Sequence, residues 1–301
     1  MKIILLSDVH LTSQNPIGRQ DDLTVAQWNK LRSVLSYAKK HDAIVVQAGD
    51  FFNKARDWNV LYKMIELLRK FSVPVCSVWG QHDQYFRSST ANNATTMGVL
   101  SELGLITLLH SWGSVSYGEV DIWGCHWGEK LPTFEIDRDK KNMLVIHAPI
   151  SPEKLFPKHL IIKPKKMLKR YRQFDMILCG DVHRHFKYEI DGRYLVNTGP
   201  MLRMEATEYN FNHTPCFFVY DGENVKEVVI THKPADEVLT RTHLDVEQIT
   251  INEEKLDILA DAVEQRFGKV SKINIPKLIE KHRFGKRMRK VISEIYKDAT
   301  E

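Results

Sequence analysis

Cysteine is scarce. Cys76, Cys125, Cys179 and Cys216 are the four in 301 residues; they lie far apart and form no Cys-x-x-Cys pair. That argues against a disulfide framework and a structural zinc cage, and reads as reduced core residues of a cytoplasmic protein. No apolar run approaches the roughly 18 residues of a membrane span. The amino-terminal apolar stretch is cut short by Asp8 and lacks a small-residue cleavage pattern. Neither a signal peptide nor membrane association is expected. The chain has no G-x-S-x-G elbow, no G-x-x-x-x-G-K-[ST] loop and no G-x-G-x-x-G loop, which removes serine-hydrolase, P-loop and dinucleotide-binding readings. Internal repeats and low-complexity segments are missing too. Neither sign of charge dominates: a net charge of +5 permits a polyanionic partner without demanding one.

What the chain does have is one recurrent design. A short apolar run of the kind that forms a buried strand ends, and polar ligand-type side chains follow at once. Phe174–Leu178 leads into Cys179-Gly180-Asp181-Val182-His183-Arg184-His185. Ile3–Leu6 leads into Ser7-Asp8-Val9-His10. Ile44–Val46 precedes Gly49-Asp50, Val73–Cys76 precedes Gly80-Gln81-His82-Asp83, and Met143–Ile146 precedes His147. Asp-x-His by itself occurs by chance. Five such segments, each after a strand signal, form a pattern.

Strand candidates alternate with helical spacing at 22–40 and 58–70, which predicts βαβ units and a largely parallel sheet. From about 105 the signals change to short strands and turns. A hairpin is expected around Asp191-Gly192, and two further strands at Cys216–Tyr220 and Val225–Thr231. Two sheets packed face to face, with helices outside, follow from this order. Composition shifts near Pro234, so residues 1–235 read as the catalytic domain. Residues 236–301 read as a helical appendage, with helices at 252–267 and 276–298 that serve as a partner-docking element or a reduced DNA-capping element. Basic residues cluster twice. Residues 153–172 hold eight Lys and Arg against Glu153 alone, and 277–290 hold seven against Glu280. The first cluster follows His147 closely, so Lys163, Lys165, Lys166 and Lys169 are candidate phosphate-backbone contacts.

Gathered at one sheet edge, Asp8, His10, Asp50, Gln81, His147, Asp181 and His183 supply three carboxylates, three imidazoles and one amide oxygen. That set suits two divalent ions rather than one, and mixed N and O donors suit Mn²⁺, Fe²⁺ or Zn²⁺. Asp50 is the candidate bridging ligand and a catalytic residue. Two metals with a bridging hydroxide nucleophile would hydrolyse a phosphodiester, and His82 is the candidate proton donor to the leaving alkoxide. His185 opens a second register, His183-x-His185, and is a further candidate for metal or substrate. His110, His126, His213 and His232 are expected to be surface or satisfied core residues, and Trp28, Trp58, Trp79, Trp112, Trp123 and Trp127 to be core.

The order Asp8-x-His10, Gly49-Asp50, Gly80-x-His82-Asp83, His147 and Gly180-x-x-His183 resembles the calcineurin-like metallophosphoesterase superfamily. Within it the chain resembles the SbcD-type nuclease subunit of the double-strand-break repair complex and its phage relatives. Asn197-Thr198-Gly199-Pro200-Met201-Leu202-Arg203 is similar to that family's Pro-Gly-Ser-Pro-x-Arg turn. The resemblance covers residues 1–232. It implies a four-layer α-β-β-α sandwich, two Mn²⁺ ions, and exonuclease or endonuclease action on DNA in repair and recombination. It also implies a homodimer and a coiled-coil ABC-type ATPase partner, and it adds Arg203 to the expected DNA contacts. Gln81 stands where the family has Asn, and Asp181 where it has His. Two other functions use the same residues: a phosphatase or phosphodiesterase acting on a small molecule or protein, and a largely architectural subunit weakened at Gln81.

Overall fold

The computed structural model describes residues 2–241, apart from 86–88, 131–133, 135, 137–138 and 157–158. The expected tail helices, the basic cluster at 277–290 and Lys158 lie outside the described residues. In chain order the elements are β1 (Ile3–Leu6), α1 (Leu23–Lys40), β2 (Ile44–Gln47), α2 (Trp58–Phe71), β3 (Val75–Ser77), α3 (Thr96–Glu102), β4 (Thr107–Leu108), β5 (Val115–Tyr117) and β6 (Val120–Cys125). Then come β7 (Lys141–His147), α4 (Pro164–Arg170), β8 (Met176–Gly180), β9 (Phe186–Ile190), β10 (Arg193–Asn197), α5 (Glu208–Asn212), β11 (Cys216–Tyr220), β12 (Val225–Val229) and α6 (Ala235–Val238).

Two six-stranded sheets result, ordered β12-β11-β1-β2-β3-β4 and β5-β6-β7-β8-β10-β9. In the first, β1 to β4 are parallel, and β11 returns antiparallel beside β1. In the second, β6, β7, β8 and β10 are parallel, with antiparallel strands at both edges. Because side chains alternate across a strand, each apolar strand serves two cores. Ile3, Leu5, Ile44 and Val46 meet Val145, Met176, Leu178 and Val196 between the sheets. Ile4, Leu6 and Val45 face the other way, onto Leu31, Val34, Leu35, Met64 and Leu68 of α1 and α2. Leu144, Ile146, Ile177 and Leu195 meet Met167 and Leu168 of α4. The layers are therefore α-β-β-α. Burial of such a side chain is worth roughly 1.5–3 kcal/mol, so these double-faced strands dominate the stability.

The two longer helices start where the chain offers a carboxylate. Asp22 accepts the N–H of Val25 and Asp57 that of Val60, each satisfying an orphan donor of the first turn. Two tryptophans differ from expectation. Trp58 is 75% exposed and Trp112 83% exposed. Trp58 opens α2, and the buried stripe of that helix, Val60, Leu61, Met64, Leu67 and Leu68, lies on another face. After β12 the chain stays on the sandwich: Thr240 N–H donates to Gly18 O at 2.9 Å and Gln20 N–H to Val238 O at 3.1 Å.

Candidate metal centre

The parallel strands deliver their carboxyl ends to one edge, where ligand sites of open α/β sheets form. Asp8 and His10 follow β1, Asp50 follows β2, Gln81 and His82 follow β3, His147 ends β7, and Asp181 and His183 follow β8. Backbone conformation aims four of them. Asp8 (φ 47°), His10 (φ 51°), Asp50 (φ 53°) and Asp181 (φ 93°) are left-handed. They are four of the seven non-glycine residues in that region among the described residues, which concentrates strain at this edge. Such a conformation costs roughly 1–3 kcal/mol and persists where the surroundings over-determine it.

The side chains converge. His10 Nε2 lies 3.0 Å from His183 Nε2 and 3.7 Å from Asp50 Oδ2. Asp50 Oδ2 is also 3.6 Å from His147 Nε2 and 4.0 Å from His82 Nε2. His183 Nε2 is 3.8 Å from Asp8 Oδ1. His147 Nε2 is 2.7 Å from Gln81 Oε1, whose amide nitrogen donates to Asp181 Oδ1 at 3.1 Å. Three overlapping groups have metal-ligand spacing: Asp8–His10–His183, His10–Asp50–His82 and Asp8–Asp50–His147. Asp8, Asp50, His10 and His147 are buried, while the His82 side chain is 40% exposed. A cavity of about 350 Å³, lined by His10, His82 and His183, opens onto this edge.

Supporting contacts fix the centre. His147 Nδ1 faces Ala48 O at 2.6 Å and His82 Nδ1 faces Asn53 O at 3.1 Å, so both rings turn Nε2 inward. Asp50 Oδ1 accepts the N–H of His82 at 2.8 Å, and Asp8 Oδ1 that of Asp181 at 3.0 Å. A β-carbon at Gly80 would strike Asp50, and one at Gly49 would strike His147. Asp83 is a functional residue to which sequence reasoning gives no role. Its buried carboxylate accepts the N–H groups of Phe52 (2.9 Å) and Gly80 (3.0 Å), and so ties the loop of Asp50 to that of Gln81. Its place in Gly80-Gln81-His82-Asp83 is the signal that could have found it.

The donor set fits two divalent cations. Asp8 Oδ2, Asp50 Oδ2 and His10 Nδ1 are buried with no hydrogen-bond partner, a costly state that a cation relieves for the carboxylates. Two imidazole nitrogens 3.0 Å apart have the spacing of neighbouring donors on one ion, given N–metal bonds of about 2.0–2.1 Å. The electrostatics agree. Burial, with the Asp50 charge added, pushes the Asp8 carboxyl up to about 7. Burial, with His183 beside it, pushes His10 down to about 3 and keeps it neutral. Burial opposes charge on His147, but Asp50, Asp8 and Asp181 override it and lift the imidazole to about 10. The Asp8 carboxyl and the His147 imidazole hold protons here where cations would otherwise supply positive charge.

Other expected site residues lie elsewhere. His185 sits in a separate group with Cys216 and Glu227, its Nε2 3.0 Å from Glu227 Oε2. Lys163, Lys165, Lys166 and Lys169 are exposed around α4. The segment that enters α4 is tied to the chain leaving His147, because Ile162 N–H donates to Pro149 O at 2.8 Å. Arg203 is 5% exposed and gives its guanidinium to the carbonyls of His213 and Lys233. Expected as a DNA contact, it is a buried staple whose donors are committed to carbonyls, and it lines a cleft away from the metal centre.

The family model of the calcineurin-like phosphoesterases matches residues 1–185, the stretch that carries every one of these ligands. The chain belongs to that family. Such phosphoesterases use metal ions for hydrolysis, and the donor set above supplies the ligands. No helix among the described residues is long and apolar enough to cross a membrane. Among solved structures, the phosphoesterase is similar to TT1561 of Thermus thermophilus. The TM-score is 0.47 at 12% identity, over 76% of this chain and 99% of that one. It is also similar to an archaeal phosphodiesterase, with a TM-score of 0.41 at 13% identity over 76% of this chain and all of that one. One stretch is 29% identical to the histidine decarboxylase of Klebsiella aerogenes over 111 residues, 36% of this chain. That match spans 28% of the decarboxylase.

Proposed function

We propose that this phosphoesterase is a nuclease that hydrolyses DNA phosphodiesters at a dinuclear centre, most simply of Mn²⁺. The observation that carries the reading is the convergence of Asp8, His10, Asp50, Gln81, His147, Asp181 and His183 around orphaned carboxylate oxygens. Two divalent ions held by these residues would supply an acidified water and neutralise charge on the phosphate. Asp50, which belongs to two of the three ligand groups, would be shared by both ions. The contacts at Ala48 and Asn53 hold the rings of His147 and His82. His82 does not need to ligate. Half-exposed, with Nδ1 held on Asn53 O, it turns Nε2 toward the centre, where it would pass a proton to the leaving alkoxide. DNA as substrate is supported by the exposed lysines of α4 beside the strand end that carries His147. The sequence resemblance supports the SbcD-type assignment, and with it a homodimer, an ABC-type ATPase partner docked through residues 236–301, and a cytoplasmic role in repair and recombination.

One observation favours the second reading, a phosphatase or phosphodiesterase for small molecules. The described lining of the cavity over His10, His82 and His183 is amide-rich, with Gln14, Asn15, Asn53 and Asn210, and contains no Lys or Arg. The two readings separate in one experiment. End-labelled duplex and single-stranded DNA, and p-nitrophenyl phosphate esters, are incubated with the full chain and Mn²⁺. The nuclease reading predicts DNA cleavage that stops with EDTA. Ester hydrolysis without DNA cleavage would assign the small-molecule function.

A further inference from the structure

Behind the loop that carries Pro200 to Arg203 lies a second cavity, away from the metal centre. It measures about 450 Å³ and is lined by Arg19, Lys30, Arg203, Lys233, Val25 and Val238 among others. Three of its cations are buried: Arg19 at 7%, Lys30 at 8% and Arg203 at 5% exposure. Two carboxylates line the same cleft. Asp21 pairs with Arg19 at 2.6 Å, and Asp22 is committed to the start of α1, accepting from Thr24 Oγ1 and Val25 N–H. Among the described residues, Lys30 and Arg203 form no ion pair. Lys30 Nζ donates to Met201 O at 3.0 Å, and Arg203 donates to carbonyls of His213 and Lys233. Arg19 Nη1 donates to Arg203 O at 3.0 Å, while its buried Nε has no partner.

Neutral carbonyls satisfy donors but do not cancel charge, and buried cations without counter-charge are expensive. A purely structural role as loop staples explains the hydrogen bonds. It leaves unexplained why Arg19, Lys30 and Arg203 gather with Lys233 at an open cleft where Asp21 alone pairs with a cation and Asp22 caps a helix. We infer that this cleft is a binding site for a phosphate dianion, carried by a phosphate monoester whose apolar body lies against Val25 and Val238. Two charges of one ligand offset the two unpaired cations, and the volume is within the range of small-ligand pockets. Like-charge neighbours agree with this: burial, then Arg19 and Arg203, push Lys30 down to about 7, which a bound anion reverses. The site is back to back with the catalytic cavity. Met201 and Arg203 carbonyls are held from the cationic side, while Pro200, Leu202 and Met204 of the same loop line the cavity over His10 and His183.

The test is calorimetric titration of the EDTA-treated full chain at fixed ionic strength. One arm uses inorganic phosphate and the other adenosine 5′-monophosphate. Binding is expected in wild type and unchanged in Asp50→Asn, which separates this cleft from the metal centre. Tighter binding of the monophosphate assigns the ester as ligand; equal affinity assigns free phosphate to the same site. Lys30→Met should weaken binding strongly. Lys233→Glu, at an exposed position that leaves folding unaffected, should weaken it about five-fold or more, the effect of reversing one charge near the anion. Three results overturn the inference: no binding by wild type, unchanged affinity in Lys233→Glu, or loss of binding in Asp50→Asn.

Discussion

His147 Nδ1 lies 2.6 Å from the carbonyl oxygen of Ala48. With Nδ1–H donated there, Nε2 points inward, where it would give its lone pair to a metal in place of the proton, and a ligand from one sheet is clamped to the loop of Asp50 on the other. A β-carbon at Gly180 would strike Ala48 O and crowd His147 Nδ1. Gly180→Ala should therefore weaken Mn²⁺ affinity about 10–100-fold, as removing a partner that orients a ligand does, while the chain stays folded. Titration calorimetry checks it, and wild-type affinity would show that the contact does not hold the ligand.

His82→Ser should lower kcat by about 10²–10⁴-fold with metal content unchanged, because a proton donor is removed and the ligand set is not. Metal analysis beside single-turnover cleavage separates the cases. Loss of metal from the variant would make His82 a ligand.

Replacing Lys163, Lys165, Lys166 and Lys169 by Ser should flatten the salt dependence of duplex binding. Each lysine that neutralises a phosphate accounts for about 0.9 of the log–log slope, and its removal lowers the slope by that amount. Lys163 is already committed to Pro152 O, so it should contribute least. If filter binding at several salt concentrations gives an unchanged slope, these lysines are only a solvated helix face.

His213 gives the fold a measurable pH dependence. Its Nε2 contacts Pro200 O at 2.8 Å, and burial pushes its imidazole down to about 4. The unfolded chain therefore binds the proton more readily. The stability from this group is full above about pH 6.5 and is lost as pH falls toward 4, at roughly 1.4 kcal/mol per pH unit. The gap in Tm between wild type and His213→Asn, both metal-free, should narrow over that window. A gap independent of pH would mean that His213 does not titrate there.

Much of the fold was legible because parallel sandwiches write themselves as apolar runs ending in polar loops. Ile3–Leu6 before Asp8 and Ile44–Val46 before Asp50 are such runs, and both are fully buried strands. What the sequence could not carry was geometry set by the rest of the fold. Asp8, His10, Asp50 and Asp181 turn into the centre through left-handed backbone that residue type does not announce. The register with Asp181 and His183 as ligands was readable from the glycine that directly follows the strand; only packing put His185 beside Glu227. Residue type misplaced Trp58 and Trp112, since a tryptophan is apolar whichever way its helix or loop faces. Nor did residue type announce that Arg203 is buried, since a guanidinium satisfies carbonyls inside a fold as readily as phosphates outside it. The return of β11 to the first sheet was likewise hidden, because short apolar strands do not name their partners.

The central claim is a dinuclear centre with Asp50 common to both ions, and metal stoichiometry tests it most directly. Wild type and Asp50→Asn are stripped with EDTA, reloaded with Mn²⁺, dialysed and analysed by plasma mass spectrometry, with circular dichroism as the check on folding. Wild type should retain two ions per chain. The folded variant should retain at most one and should not cleave DNA. Two ions in the folded variant, with cleavage at the wild-type rate, would contradict the assignment.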